Sequence, residues 1–152
     1  MAMVKPVFTI GPSADAVAIR MEVFVKEQHV VNEMDEFDPS SWSLVLYLDG
    51  VPMGTGRIYK IDPATYQVGR VAVLKPYRHQ GVGTYIMKFL QRKAIELGAN
   101  TLLLHAQVDK IGFYSSLGYV IDGDGEVFYD ENIPHVHMKK TISKKNRYNR
   151  KR

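Results

Sequence analysis

One stretch restricts the fold more than any other: Val71-Ala72-Val73-Leu74-Lys75-Pro76-Tyr77-Arg78-His79-Gln80-Gly81-Val82-Gly83. It opens as an apolar β-type run, is stopped by Lys75-Pro76, turns through basic residues, and enters a long segment of helical periodicity at the glycines. Backbone N–H groups at a helix start have no intrahelical partner, and the helix dipole adds partial positive charge there. Glycines let an anionic ligand come close to that backbone. The stretch therefore predicts a phosphate cradle.

The flanks extend the pattern. After the cradle, Ile86, Phe89, Leu90, Ala94 and Leu97 make one apolar helical stripe, and Gly98 suits the left-handed position that ends it. Thr101 to Leu104 then reads as a short apolar strand buried on both faces. Strand, helix, strand implies a right-handed crossover and a parallel pair, with ligands at the carboxyl ends of the strands. Upstream, Val7 to Ile10 is a first strand, Ser13 an N-cap, and Val17, Met21, Phe24 and Val25 place a helix running to about Glu27. Gln28 to Ser41 lacks a period, carries Glu33, Asp35, Glu36 and Asp38, and reads as a loop.

Trp42 to Leu48, a hairpin turn at Asp49-Gly50, Pro52 to Ile61 and Tyr66 to Leu74 form an antiparallel meander, with Gly54 and Gly56 suggesting bends or a bulge. Downstream come a helix from about Asp109 to Leu117, two strands or one strand with a glycine-rich bend over Tyr119 to Ile121 and Glu126 to Tyr129, and a final strand from His135 to Thr141. The fold class is α/β. A mixed central sheet of about six to seven strands is expected, flanked by helices, with a parallel pair at the ligand cleft.

At 152 residues the chain is expected to be one domain over residues 1–142 with a basic, disordered tail at 143–152. The charge must be split to be read. Eight Lys/Arg and no acid lie in residues 139–152, which leaves a body with net charge −4. Nucleic-acid binding is thus expected of the tail alone, if at all. There are no cysteines, so disulfides, thiolate metal ligands and a thiol nucleophile are excluded. No apolar run is long enough to span a bilayer, and the start of the chain lacks a signal-peptide core, so a cytoplasmic location is expected.

Arg78-His79-Gln80-Gly81-Val82-Gly83 resembles the acyl-CoA diphosphate loop of the GNAT superfamily of N-acetyltransferases, whose signature is Gln/Arg-x-x-Gly-x-Gly/Ala. Ile111-Gly112-Phe113-Tyr114-Ser115-Ser116-Leu117-Gly118-Tyr119 is similar to the Phe-Tyr-x-x-x-Gly-Phe helix of the same superfamily, about thirty residues on. Val23 to Gln28 followed by Met34 to Asp38, and Phe128 to Met138, resemble signatures of its ElaA-like (YjcF-like) branch. Gln107 departs from the Asn that many members place on the turn before the second helix.

The resemblance implies acetyl-CoA as cosubstrate and an amine acceptor, small molecule or peptide, with no metal and a monomeric or homodimeric chain. It puts the diphosphate on the N–H groups of Gln80, Gly81, Val82, Gly83 and Thr84, with Arg78 or Lys75 near the phosphates and His79 in the same cofactor-binding loop, and the pantetheine arm along Val71, Ala72 and Val73. Gln107 lies near the cofactor, and Tyr114 is the general acid to the departing thiolate. For the base, Glu27, Glu131, His135 or an ordered water all stand open. Arg20, Gln28, Arg57, Glu131 and His135 are candidate acceptor-lining residues. His135 and His137 share a face of the last strand, which also admits a metal pair or a structural role. Two other functions fit the residues: a CoA sensor that keeps the loop but does not need Tyr114, and a nucleic-acid-associated protein acting through the tail.

Overall fold

The structure is a computed structural model that describes residues 2–31 and 33–142. The basic tail therefore lies outside the described residues. The chain divides into two compact units, Met1–Tyr59 with Gly69–Gln91 and Lys60–Val68 with Arg92–Arg152.

In the first unit, β1 (Val4–Ile10) pairs antiparallel with β2 (Trp42–Leu48), from Val4↔Leu48 to Ile10↔Trp42. Strand β2 pairs antiparallel with β3 (Val51–Asp62), with a register shift between Leu46 and Tyr47. The turn between them falls on Asp49-Gly50, where Asp49 takes a left-handed φ of 49°, as the sequence predicts. Between β1 and β2 runs α1 (Ala14–Arg20), capped by the Ser13 hydroxyl, which accepts from the Ala16 N–H.

Helix α1 continues without a break as a π-type turn over Met21–Glu27, whose wider winding shows in the Gln28 N–H bonding the Val23 carbonyl at 3.2 Å. Its apolar face, Ala16, Ile19 and Val23, packs with Val45 and Ala72, and Phe24, Tyr47 and Leu74 close the cluster.

Strand β4 (Thr65–Val73) and helix α2 (Val82–Glu96) each run through both units. The expected bulge lies beside Gly54, where Leu46↔Gly54 is followed by Tyr47↔Pro52, and the glycines of β3 have a second reason as well. A Cβ at Gly54 would lie 2.7 Å from Ile86 Cδ1 and 2.8 Å from the Ala72 carbonyl, and one at Gly56 would lie 2.7 Å from Leu90 Cδ1. The glycines are the sockets into which α2 seats its apolar stripe.

In the second unit, β4 runs parallel to β5 (Thr101–Gln107), from Thr65↔Thr101 to Val68↔Leu104. On its other side β5 is antiparallel to β8 (Ile133–Thr141), from Thr101↔Thr141 to Gln107↔His135. The short strands β6 (Val120–Ile121) and β7 (Phe128–Asp130) also pair with β8. A 3-10 turn at Val108–Lys110 leads from β5 into α3 (Ile111–Ser116).

The strand order is β1-β2-β3-β4-β5-β8-β6, with β7 also on β8. This is the mixed sheet that was expected, with eight strands where about six to seven were expected, because the segment before β8 gives two short strands. Strand β5 corrects a finer expectation. Leu102, Leu104 and Ala106 are buried while His105 is exposed, so it has one core face and extends to Gln107 by laddering with β8. Among the described residues no helix is long and apolar enough to cross a membrane.

Candidate functional site

The first unit builds a backbone cradle at the end of β4. After Val73 a 3-10 turn over Lys75–Tyr77 reverses the chain, His79 takes φ 62° and Gly81 takes φ 81°. The Gly81 carbonyl accepts from the Tyr85 N–H at 3.1 Å, so Gly81 is the residue from which α2 departs. Among the described residues none of the N–H groups from Gln80 to Thr84 donates to a backbone carbonyl. A Cβ at Gly81 would meet nothing within 4 Å, so the space in front of these groups is open. The Gln80 side chain folds back to donate to the Pro76 carbonyl at 3.0 Å and braces the turn. Donors without acceptors, open approach and helix dipole together fit a phosphate group.

Arg78 stands beside the cradle as a clamp. Its Nε donates to the Val73 carbonyl at 2.8 Å, and its two terminal nitrogens grip the Glu27 carboxylate at 2.8 and 2.9 Å. The last carbonyl of β4 and the end of the π-type turn are thus held by one guanidinium. The hydrogen bond from Arg78 lowers the pKa of Glu27. Two residues predicted for different roles, Arg78 for the phosphates and Glu27 for the base, are therefore each other's partner. Gln28, the residue after Glu27, is half-buried.

From Arg70, next to Val71, a network of arginines and acids extends into the signature stretch Met34 to Asp38. Arg20, 1% exposed, donates from Nε to Glu33 at 2.5 Å and from Nη1 to Asp38 at 2.7 Å. Arg57, 4% exposed, donates from Nη1 to Asp35 at 2.7 Å and to Asp38 at 2.8 Å, and from Nη2 to Asp35 at 2.6 Å. Arg70 donates from Nε to the Glu33 carbonyl at 3.0 Å and from Nη2 to Asp35 at 3.2 Å.

Desolvation opposes the charge of Asp38, but bonds from Arg20 and the Asp35 N–H and the fields of Arg20 and Arg57 outweigh it, holding the carboxyl well below its usual range. Glu33, Asp35 and Asp38 of the acidic run are thereby paired with arginines, while Glu36 is exposed. Arg20 and Arg57 meet at Asp38, inside a network and not on an open wall.

In β4 the left-handed residue is Arg70, with φ 53°. Strain of this kind in a non-glycine residue is held by its surroundings, here by the carbonyl and carboxylate that fix its guanidinium. Sequence reasoning missed Arg70 and the pairing of Glu33. The available signals, the count of acids between Glu33 and Asp38 and the resemblance over Met34 to Asp38, do not name the arginines, because the partners lie 13 to 37 residues away.

The second unit gathers Gln107, Tyr114 and His135 around the end of β5. Gln107 and His135 are register partners, and α3 with Tyr114 follows within a few residues. His135 Nδ1 lies 2.7 Å from the Ile133 carbonyl. A carbonyl only accepts, so Nδ1 carries the hydrogen and Nε2 keeps its lone pair in the neutral ring. The His135 and His137 rings both stack on Phe128, with centroids at 5.6 and 4.5 Å, and His105 meets His137 edge-on at 4.7 Å. Among the described residues no group of three or more His, Asp or Glu is placed to hold a metal.

The Tyr114 ring packs edge-on with Phe113 and Tyr119. Among the described residues its hydroxyl has no hydrogen-bond partner, and burial pushes the phenol up to about 12. Glu131 takes φ 51° in the turn from β7 to β8, where it is half-buried.

Comparisons with known proteins now bear on these features. Residues 10–142 match the acetyltransferase (GNAT) domain family. The chain is 40% identical over 128 residues to the uncharacterized N-acetyltransferase YjcF of Bacillus subtilis (strain 168), over 83% of this chain and 90% of that protein. Its fold is similar to that of an acyl-CoA N-acyltransferase from Pseudomonas aeruginosa, at 25% identity and TM-score 0.79, covering 91% of this chain and all 100% of that one. ElaA from Escherichia coli shares the fold at 23% identity and TM-score 0.78, over 92% of this chain and 99% of that one.

Proposed function

The chain belongs to the GNAT family of acyl-CoA-dependent N-acetyltransferases, and from that membership we propose that it moves the acetyl group of acetyl-CoA to a primary amine by direct attack, with both substrates bound. Residues 1–142 act in this reading as one acetyltransferase domain. The observation that carries it is the row of N–H groups from Gln80 to Thr84 without backbone acceptors, opened by Gly81 at φ 81°. Acetyl-CoA, when bound, supplies a diphosphate for those groups and an activated thioester. The backbone of Val71 to Val73 aligns the pantetheine arm, and Gln107 contacts it from β5.

Holding amine and thioester together supplies much of the rate by proximity. With no cysteine in the chain, an acyl-cysteine route is closed. His135 Nε2 receives the proton of the attacking amine, while Nδ1 stays anchored on the Ile133 carbonyl.

Tyr114 serves the departing sulfur. Its phenol, at about 12, is a weaker acid than a thiol near about 8.5. Tyr114 therefore holds the sulfur by an O–H···S hydrogen bond as the carbon–sulfur bond breaks. The proton it passes to the thiolate as general acid is made good from the proton that the amine releases through His135 and solvent, so that no phenolate is left.

The test is kinetic, read against donor affinity. Tyr114→Phe lowers kcat by about a hundredfold and leaves acetyl-CoA affinity unchanged; an unchanged kcat removes Tyr114 from the chemistry. His135→Gln lowers kcat near neutrality, and the deficit shrinks as pH approaches the acceptor amine's own pKa of about 10. A melting temperature unmoved by millimolar acetyl-CoA, in folded protein, would remove the donor.

A further inference from the structure

The acid–arginine network of the first unit is balanced in charge and unbalanced in hydrogen bonds. Each carboxylate is shared by two arginines: Glu33 by Arg20 and Arg70, Asp35 by Arg57 and Arg70, Asp38 by Arg20 and Arg57. Three guanidiniums carry more N–H groups than three shared carboxylates can accept. The surplus is visible, because among the described residues Arg57 Nε is buried without a partner. Glu33 Oε2 is left in the same condition. Buried polar atoms of this kind cost free energy unless something completes them.

The approach to Arg57 Nε lies at Gly69. A Cβ at that position would meet a single atom within 4 Å, Arg57 Nε at 3.8 Å. The missing side chain thus leaves a notch against the unpartnered donor. Arg70 follows directly, is held at a strained φ of 53°, and is 26% exposed. Tyr59 stacks on Phe37 at 4.4 Å and lies 5.2 Å from the Arg57 guanidinium carbon, covering that guanidinium away from the notch.

Desolvation, then repulsion from Arg57, lowers the pKa of Arg70. An anion beside it relieves both. The next residue along β4 is Val71, where the proposed donor strand begins.

We propose that the notch at Gly69, walled by Arg57 and Arg70, receives a carboxylate of the acceptor, so that the substrate class is amines carrying a carboxylate, of amino-acid type. This rests on the acetyl-transfer reading above. The acceptor oxygens take hydrogen bonds from the exposed side of Arg70, with the charge of the buried Arg57 guanidinium behind Gly69, which sets the amine a short distance along β4. Neutral amides of the same shape offer no charge to the arginines and are discriminated against.

The experiment uses matched pairs of each amino acid and its amide with the full chain, reading thiol release from acetyl-CoA and, separately, thermal stabilisation by the acceptor alone. The acids are expected to exceed their amides about tenfold or more in kcat/KM, as loss of a charge-assisted pair implies. Arg70→Gln brings that ratio close to one while stabilisation by acetyl-CoA persists. Gly69→Ala fills the notch and raises KM for the acid, which keeps the idea testable if Arg70→Gln does not fold. Amides reacting as well as acids, or a ratio indifferent to both substitutions, overturns the proposal.

Absence of both turnover and carboxylate-dependent stabilisation, with stabilisation by acetyl-CoA intact, also overturns it and leaves the donor assignment standing. Failure of acetyl-CoA to stabilise the protein strikes the transfer reading instead, and the acceptor-alone measurement still decides the carboxylate.

Discussion

Two regions of the first unit meet along β4 and are built on opposite principles. At the end of the strand, the cradle is made of backbone: N–H groups from Gln80 to Thr84, aimed by one left-handed glycine. In its middle, the Arg20–Arg57–Arg70 network is made of side chains from a helix, two strands and a loop. The cradle keeps its donors free and its front open. The network uses almost every donor internally and leaves Arg57 Nε and Glu33 Oε2 incomplete. A backbone site can wait for an anion without cost to the fold, since its donors stay hydrated. A buried side-chain site must be nearly satisfied beforehand, or the loop it anchors would not hold.

The contrast breaks most sharply at Asp38. Asp38→Ala takes away the carboxylate shared by Arg20 and Arg57, both nearly fully buried. Leaving buried charge unpaired costs about 3–5 kcal/mol, readable as a fall in urea midpoint, whereas acetyl-CoA affinity per folded molecule is retained. Titration gives the same information with a sign. Asp35 and Asp38 both have lowered pKa values, so their contribution is present above the unfolded carboxyl value of about 4 and is lost as pH falls below it. A wild-type chain whose acid unfolding matched that of Asp38→Ala would show that the network does not stabilise the loop.

The same contrast explains what could be read beforehand. The cradle, α2 and the parallel β4–β5 pair follow from local patterns: an apolar run, a proline, glycines and a stripe at helical spacing. A bulge was rightly expected at Gly54, but the sockets that Gly54 and Gly56 make for Ile86 and Leu90 were not legible, because a socket and a strand bend use the same residue type. The network was illegible for a physical reason. Its bonds join residues as far apart as Glu33 and Arg70, and charged residues carry no periodicity by which pairing is recognised. Tyr114 could be named from a motif. Its free hydroxyl and raised pKa come from packing against Phe113 and Tyr119, which only the fold supplies.

A smaller effect is expected at the cradle. In Gly81→Ala the new methyl group meets nothing, so the cost is that of a non-glycine residue at φ 81°, about 1 kcal/mol. The methyl also stands in front of the N–H groups that the diphosphate must approach. Acetyl-CoA affinity should fall about tenfold, measured by calorimetry, with a stability loss well below that of Asp38→Ala. A larger loss of stability than of affinity would mean that the turn serves the fold first, and the two regions would no longer differ in kind.

The smallest effect belongs to Glu27, where side chain meets cradle. Its carboxylate is doubly bonded to Arg78 and so competes with any phosphate for that guanidinium. Both groups are about one-third exposed, so water and salt screen the pair and its net worth is small. Glu27→Gln frees Arg78 for the diphosphate and should tighten acetyl-CoA binding by about two- to fivefold, with a steeper dependence on salt. It should leave kcat nearly unchanged if, as proposed, the proton of the amine goes to His135. A loss of kcat comparable to that of Tyr114→Phe would instead make Glu27 the base, and the clamp by Arg78 would then be a resting state that donor binding must undo.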